Sequence, residues 1–186
     1  MFDIAEIRRA LRGALELLRG RTEGLECFDL SVAGFWRSFA AVLLAAPLYA
    51  LDVAVEAHGG TRAGAAFFAV KALSYLADWL LFPVVVALLA KPLDLGRLYV
   101  PYIVAYNWSS VVIAALFAPA TLLVGFGIGN PAAILSLIVF AVAARYRFTI
   151  ARAALQVRPA TAVGLVILEF LLSLLVLSLF ERLTPA

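Results

Sequence analysis

Five apolar stretches dominate the chain, and their length decides what it can fold into. They cover roughly residues 33–55, 65–90, 98–119, 131–150 and 160–181. A helix needs about 20 apolar residues to cross a hydrocarbon core about 30 Å thick, and all five are long enough. Composition points the same way: 65% of residues are apolar and 15% charged, against about 45–50% and about 25% in soluble domains. A chain of 186 residues cannot hide that much apolar surface in one water-soluble core. Lipid is therefore its solvent, and the predicted fold is an all-α integral membrane protein. Residues 1–30 form a cytoplasmic amphipathic segment and residues 31–186 a five-helix transmembrane domain.

The breaks between spans have local causes. "EAHGGTRAG" joins charge to Gly59-Gly60, "KPLDLGR" holds a proline and three charges, and "GFGIGNP" supplies three glycines, Asn130 and Pro131. Each is a turn signal. The fourth break differs: no Gly or Pro occurs from Ala143 through Gln156, so the fourth helix is expected to run on until Pro159 ends it. Pro47 and Pro83 fall inside spans and are expected to kink them, while Pro101 fits a first helical turn.

Residues 1–30 do not read as a cleavable signal, because the first apolar run begins behind a mixed-charge segment. Ile4, Ile7, Leu11, Leu15 and Leu18 recur at three- and four-residue spacing, with Arg8, Arg9, Arg12 and Arg19 elsewhere around the helix. Such a helix either lies on the membrane surface or packs against cytoplasmic loops of its own chain.

With five spans the termini face opposite sides. Arg8, Arg9, Arg12, Arg19, Arg21, Arg37, Lys91, Arg97, Arg145, Arg147, Arg152 and Arg158 gather on one side; Arg62 and Arg182 lie on the other, and Lys71 lies within the second span near it. Loops on the cytoplasmic side are enriched in Lys and Arg, which puts the N-terminus in the cytoplasm and the C-terminus outside. Trp36, Tyr99, Tyr102 and Tyr146 fall near the inner span ends, where aromatic residues anchor helices at the interface. On the first span Gly34 and Ser38, Ala41 and Ala45, and Ala46, Ala50 and Ala54 repeat at the four-residue spacing that lets helices approach closely.

Chemistry is to be sought among polar residues inside the spans: Lys71 and Asp78 on the second, Asn107, Ser109 and Ser110 on the third, Glu169 on the fifth. At 1.5 Å per residue, Glu169 and Asn107 lie roughly 13 Å from the cytoplasmic ends of their helices and Asp78 roughly 18 Å. The three can meet near the midplane if those helices are neighbours. A charge at the centre of a span costs at least about 2.5–3.5 kcal/mol on insertion scales, so each needs a partner. Three arrangements follow: Glu169 and Asp78 line a proton or cation path walled by Asn107 and the serines; a protonated Glu169 donates to Asn107 or a backbone carbonyl and holds helices together; or Glu169 faces another protein or a second copy. Asn107-Trp108-Ser109 also spells a glycosylation acceptor, but a buried one cannot be reached.

Other chemistries lack their residues. One cysteine, Cys27, forms no internal disulfide, and with the single His58 it gives no metal cluster. No phosphate-binding glycine loop with its lysine is present. No cofactor, metal or nucleic acid is called for, and an enzyme using the common nucleophile or zinc schemes is not expected.

The stretches "FDLSVAGFWRSFAAVLLAAPLYAL" and "YIVAYNWSSVV" resemble those of small inner-membrane proteins of alphaproteobacteria, which implies a multi-pass protein of the bacterial inner membrane. Five spans after a cytoplasmic N-terminal segment are similar to the architecture of the Yip1 family of membrane-organising proteins. The Asp-Leu-Tyr-Gly-type motif of its eukaryotic members is not present. The expected function is non-enzymatic: scaffolding or modulating a larger membrane assembly, with a membrane-protein partner or a second copy. The alternative is a transporter or channel for protons, cations or a small solute, using the intramembrane polar cluster.

Overall fold

A computed structural model describes residues 3–59 and 64–183; Arg62 lies outside these. The first helix, α1, spans Ile4–Leu18 and is capped by Asp3, whose carboxylate accepts the Ala5 N–H at 3.0 Å. A short 3-10 turn over Thr22–Cys27 follows. Then come α2 (Val32–Ser38), α3 (Ala41–Gly59), α4 (Ala65–Ala90), α5 (Tyr99–Gly125), α6 (Gly129–Leu155) and α7 (Pro159–Leu183). No strand occurs among the described residues. Five helical units are long and apolar enough to cross a membrane, with α2 and α3 together making the first, Val32–Gly59. That first span is not one continuous helix, because it breaks at Phe39-Ala40. The fourth runs five residues beyond 150 and ends at Gln156, whose left-handed backbone (φ 53°) stops the helix.

The outward surface explains the composition. Leu43, Leu73, Leu76, Leu80, Leu88, Ile134, Leu137 and Leu171 are all exposed. In water such a continuous apolar surface would far exceed the few hundred Å² that soluble monomers show. Against acyl chains it costs nothing.

The long helices pack in a closed order, α3 on α5, α5 on α6, α6 on α7, α7 on α4, and α4 back on α3. The end of this ring that carries α1 is called proximal here, the other distal. Toward the proximal end α4 also reaches α5: the Phe82 ring stacks on Tyr106 at 4.6 Å, and the Tyr99 hydroxyl donates to the Pro83 carbonyl at 3.1 Å. The middle of the ring is filled there and open toward the distal end. Ile103, Val104 and Ala105 of α5 are buried together with Tyr102 and Tyr106–Ser109, so this stretch is enclosed on every side.

Small residues bring α5 its neighbours. Ser38, Ala41 and Ala45 are buried along one face that continues across the break and packs on α5, whereas Gly34 is buried against Asp29. Ala50 and Ala54 are exposed, so the small-residue stripe does not extend to the distal half of the span. Interfacial anchoring also needs correcting at two positions. Trp36 is exposed and Tyr99 half-buried, but Tyr102 and Tyr146 are buried in the protein, and the Tyr146 hydroxyl donates to the Ala14 carbonyl.

That bond ties α6 to α1, which packs under the proximal ends of α5 and α6. The face in contact is Ala10, Gly13, Ala14 and Leu17, about 100° around the helix from the Ile4–Leu18 stripe. Gly13 lets the Thr22–Cys27 turn close on α1: a Cβ there would meet the Gly24 carbonyl oxygen at 2.6 Å, and one on Gly24 would meet the Gly13 oxygen at 2.5 Å. The apolar stripe is divided, with Ile7, Leu11 and Leu18 packed on the core and Ile4 and Leu15 exposed beside the arginine face.

Candidate functional site: a polar chamber within the ring

One turn of α5 builds the floor. The hydroxyls of Ser109 and Ser110 both donate to the Tyr106 carbonyl, at 2.7 and 3.0 Å. This back-bonding is what serines do in a helix when no water is present. It leaves their oxygens free to accept, and Arg147 of α6 uses them. Its Nη1 donates to Ser109 Oγ and, at 2.9 Å, to the Tyr106 carbonyl, while Nη2 donates to Ser110 Oγ at 2.8 Å. The guanidinium carbon lies 3.8 Å from the centre of the Tyr106 ring, a cation–π contact.

Glu169 of α7 neutralises this cation. Its Oε1 lies 2.9 Å from Arg147 Nε, with side-chain exposures of 9% for Arg147 and 17% for Glu169. The contact lacks the alignment of a hydrogen bond, so it is best described as a close ion pair. Taking two charges out of water costs several kcal/mol per ion, which mutual attraction offsets only where the remaining donors are satisfied. The serines and the carbonyl take hydrogen bonds from the terminal nitrogens and the tyrosine ring covers the guanidinium face, while Nε has no aligned acceptor.

Glu169 therefore does not meet Asn107. The amide points the other way, and its Nδ2 donates at 2.9 Å to Ser38 Oγ, which itself donates to the Phe35 carbonyl at 2.7 Å. Asn107 and Ser38 are fully buried, and the amide oxygen has no partner. Asn107 thus joins α5 to the end of α2, where the helix breaks; it does not wall a path.

Of the other intramembrane residues, Asp78 lines a chamber above the floor and Lys71 lies beside it, paired with a residue of its wall. Asp78 of α4 accepts from Ser173 of α7 at 2.7 Å. Farther toward the distal end Asp52 of α3 accepts from Thr121 of α5 at 3.1 Å, and Lys71 pairs with Glu56 at 2.6 Å. The chamber has a volume of about 970 Å³, and Asp52, Glu56, Asp78, Arg147 and Glu169 all line it. Its aromatic wall is Tyr49, Tyr75 and Trp79. Tyr49 stacks on Tyr75 with centroids 4.5 Å apart, and Tyr75 meets Trp79 edge to face at 6.1 Å. Both hydroxyls are used, Tyr49 on the Lys71 carbonyl at 3.0 Å and Tyr75 on the Val42 carbonyl at 2.6 Å, so the rings are held in place.

The structure thus brings Ser109, Ser110 and Glu169 together through Arg147, adds Asp78 to the same chamber, places Lys71 at its distal edge, and puts Asn107 elsewhere. Arg147 is the residue that sequence reasoning misplaced, by counting it among the loop charges that set topology. A signal did exist. Ala143, Ile150, Ala151 and Ala154 are a small and apolar series at helical spacing, and Arg147 falls on their face. Once the helix is taken past residue 150, Arg147 has to point inward. Among the described residues no three His, Cys, Asp or Glu side chains gather as metal ligands.

Comparisons with protein-family models, with curated proteins and with solved structures gave no match for this chain.

Proposed function

We propose that this is a non-enzymatic membrane protein that binds a small solute and passes it across the bilayer, using the ring chamber as its binding site. The observation that carries this reading is the chamber itself. It is open toward the distal end, and its volume of about 970 Å³, lined by four carboxylates and an arginine, falls in the size range of ligand sites. A bundle that served only to scaffold a partner would gain stability by filling that space with leucine. The floor supports the same reading, because a buried ion pair adds little net stability and is found in spans mainly where solutes or ions are handled.

Orientation follows from the basic residues. Arg8, Arg9, Arg12, Arg19, Arg21, Lys91, Arg97, Arg145, Arg152 and Arg158 lie toward the proximal end even when Arg147 is set aside, which favours a cytoplasmic proximal end. The chamber then faces the outside of the inner membrane. An alkaline phosphatase fusion at the C-terminus is expected to be active and one after Arg97 inactive; the opposite pattern reverses the opening.

The test is access. In a Cys27→Ser background, Ser136→Cys on the chamber wall is expected to react with a membrane-impermeant thiol reagent applied outside. Leu137→Cys, on the lipid face, is expected to stay unlabelled. Protection of Ser136→Cys to the same degree as Leu137→Cys would mean that no aqueous chamber exists. A stoichiometric membrane partner seated over the distal mouth, found on gentle purification, would return the protein to the accessory role.

A further inference from the structure

The charges of the chamber are not evenly satisfied, and the imbalance identifies what it would hold. The charge of Arg147 is already matched: its terminal nitrogens donate to Ser109, Ser110 and the Tyr106 carbonyl, the Glu169 carboxylate lies 2.9 Å from its Nε, and the Tyr106 ring covers its face. Lys71 is paired with Glu56 and sits 5.5 Å from the centre of the Phe67 ring. Both cations near the chamber are therefore neutralised in place. The carboxylates are more numerous. Asp52 and Asp78 face the same space with only a threonine and a serine hydroxyl as partners. A hydroxyl donates one hydrogen bond and carries no charge, so each aspartate keeps acceptor capacity and has no cation paired with it.

These two aspartates bracket the aromatic wall. Tyr49 lies within electrostatic range of Asp52, Glu56 and Asp78 together, and Asp78 in turn lies within range of Tyr106 and Glu169 on the floor. The wall therefore sets aromatic rings between carboxylates, with Trp79 next to Asp78 in the chain and Tyr75 one helical turn before it. Carboxylate plus aromatic surface is the combination that recognises ammonium groups, the rings through their quadrupoles and the acids through full charge. The rings are fixed by their own hydroxyl bonds, so little side-chain entropy is lost when a ligand arrives.

We propose that the chamber takes organic cations, amines or quaternary ammonium ions with an apolar body, held between Asp52 and Asp78 against Tyr49, Tyr75 and Trp79. This assignment of ligand class rests on the solute-binding reading above. Neutral solutes leave two carboxylates without a counter-charge, and anions meet four carboxylates and, among the described residues lining the chamber, no cation that lacks a carboxylate partner.

The test is equilibrium dialysis of labelled benzyltrimethylammonium against the purified full-length protein in mild detergent. Unlabelled neopentylbenzene, its neutral carbon isostere, and benzenesulfonate serve as competitors. Saturable binding is expected, with both competitors weaker than the unlabelled cation by at least about tenfold, the equivalent of one charge-assisted contact. Asp78→Asn and Asp52→Asn are each expected to weaken the cation by about tenfold, and Asp78→Glu to restore most of it. Equal competition by the neutral or anionic compound overturns the cation assignment, as does a dissociation constant within twofold of wild type in both Asn variants. So does the lack of saturable cation binding. Labelling of Ser136→Cys in the Asp52→Asn/Asp78→Asn protein separates the two levels. A labelled chamber that does not prefer cations refutes only the ligand class, whereas an unlabelled Ser136→Cys in the otherwise wild-type chain refutes the chamber.

Discussion

Replacing Glu169 by glutamine would leave Arg147 charged, buried and without its counter-ion, and the expected cost is large. Two unit charges about 4 Å apart interact by about 4 kcal/mol at an effective dielectric of about 20, and removing one partner of a buried pair typically costs about 3–5 kcal/mol. Glu169 lines the chamber and is the more exposed of the two, so the lower end applies, about 3 kcal/mol. At this chain length that corresponds to a melting temperature lower by about 6–12 °C. Arg147→Met is expected to cost less, about 1–2 kcal/mol: a lone carboxylic acid can be held neutral, whereas a guanidinium cannot. Removing the arginine also orphans no hydroxyl, because Ser109 and Ser110 keep their bonds to the Tyr106 carbonyl. The double variant Arg147→Met/Glu169→Leu, which has no charge to neutralise, is expected to fall within about 1 kcal/mol of wild type or above it. Unfolding free energies come from steric trapping in bicelles, with thermal melting in detergent as a check. A Glu169→Gln protein melting within about 2 °C of wild type, or a double-mutant coupling near zero, would refute the buried pair. If Glu169 were protonated and served packing only, one of the three arrangements open from the sequence, glutamine would lower stability little, because that arrangement gives it no arginine to answer to.

Three other predictions test separate parts of the structure. At the α2–α5 junction Ser38→Ala leaves the buried Asn107 Nδ2 without an acceptor and is expected to cost about 1–3 kcal/mol, while Ser38→Ala/Asn107→Leu recovers part of it; equal stability of the single variant and wild type would remove that bond. Gly13→Ala forces its Cβ against the Gly24 carbonyl and the Cys27 side chain and is expected to cost about 1–3 kcal/mol, whereas Gly164→Ala, with open space around it, is expected to gain about 0.5–1 kcal/mol from helix propensity; the melting points should move in opposite directions. The third concerns acid. Hydrogen bonds from Ser31, with Arg37 adding its charge, hold the Asp29 carboxyl below its usual range, and Arg21 followed by Arg19 does the same for Glu16. Both groups are depressed in the folded protein, so their stabilisation is present above the unfolded values of about 4 and is lost as pH falls through the folded ones. Hydrogen exchange in residues 4–38, corrected for intrinsic pH dependence, should accelerate below about pH 4, and Asp29→Asn should remove part of that response; a flat profile would contradict it.

The spans were legible because hydropathy reports directly on the lipid solvent, and the breaks because glycine, proline and charge mark turns regardless of tertiary context. Membership of the chamber was only partly legible. Glu169, Asp78, Ser109 and Ser110 announce themselves as polar residues in apolar runs, but partner choice depends on which helices adjoin, and α6 standing between α5 and α7 is a tertiary fact. Arg147 was hidden by its neighbours: with Arg145 and Arg152 nearby, it reads as one more charge at a span end unless the helix is followed to Leu155. Asn107 shows the converse. Depth along α5 put it level with Glu169, yet rotation about the helix decides contact, and Ser109, two residues on, faces Arg147 while Asn107 faces Ser38. Tyr146 was misread for a related reason, since a tyrosine at a span end serves an interface or a buried carbonyl equally well, and the packing of α1 makes it the latter.

The position of α7 connects stability to the chamber. It is the least enclosed span, with 11% of its most apolar window buried, and its long run of leucines faces lipid on both sides of a narrow contact strip. Dispersion against neighbouring helices does little to choose its rotation, because lipid tails offer leucine nearly the same contacts. Polar side chains make that choice. Glu169 and Ser173, one turn apart on the same face, reach Arg147 of α6 and Asp78 of α4 respectively, so α7 is fastened once to each neighbour. An average interhelical hydrogen bond contributes only about 0.6 kcal/mol, which makes Ser173→Ala a small perturbation and leaves most of the fastening to the ion pair. These links are also part of the chamber wall. A side chain that sets the rotation of α7 must point inward, and any solute in the chamber then meets the groups that hold the ring closed.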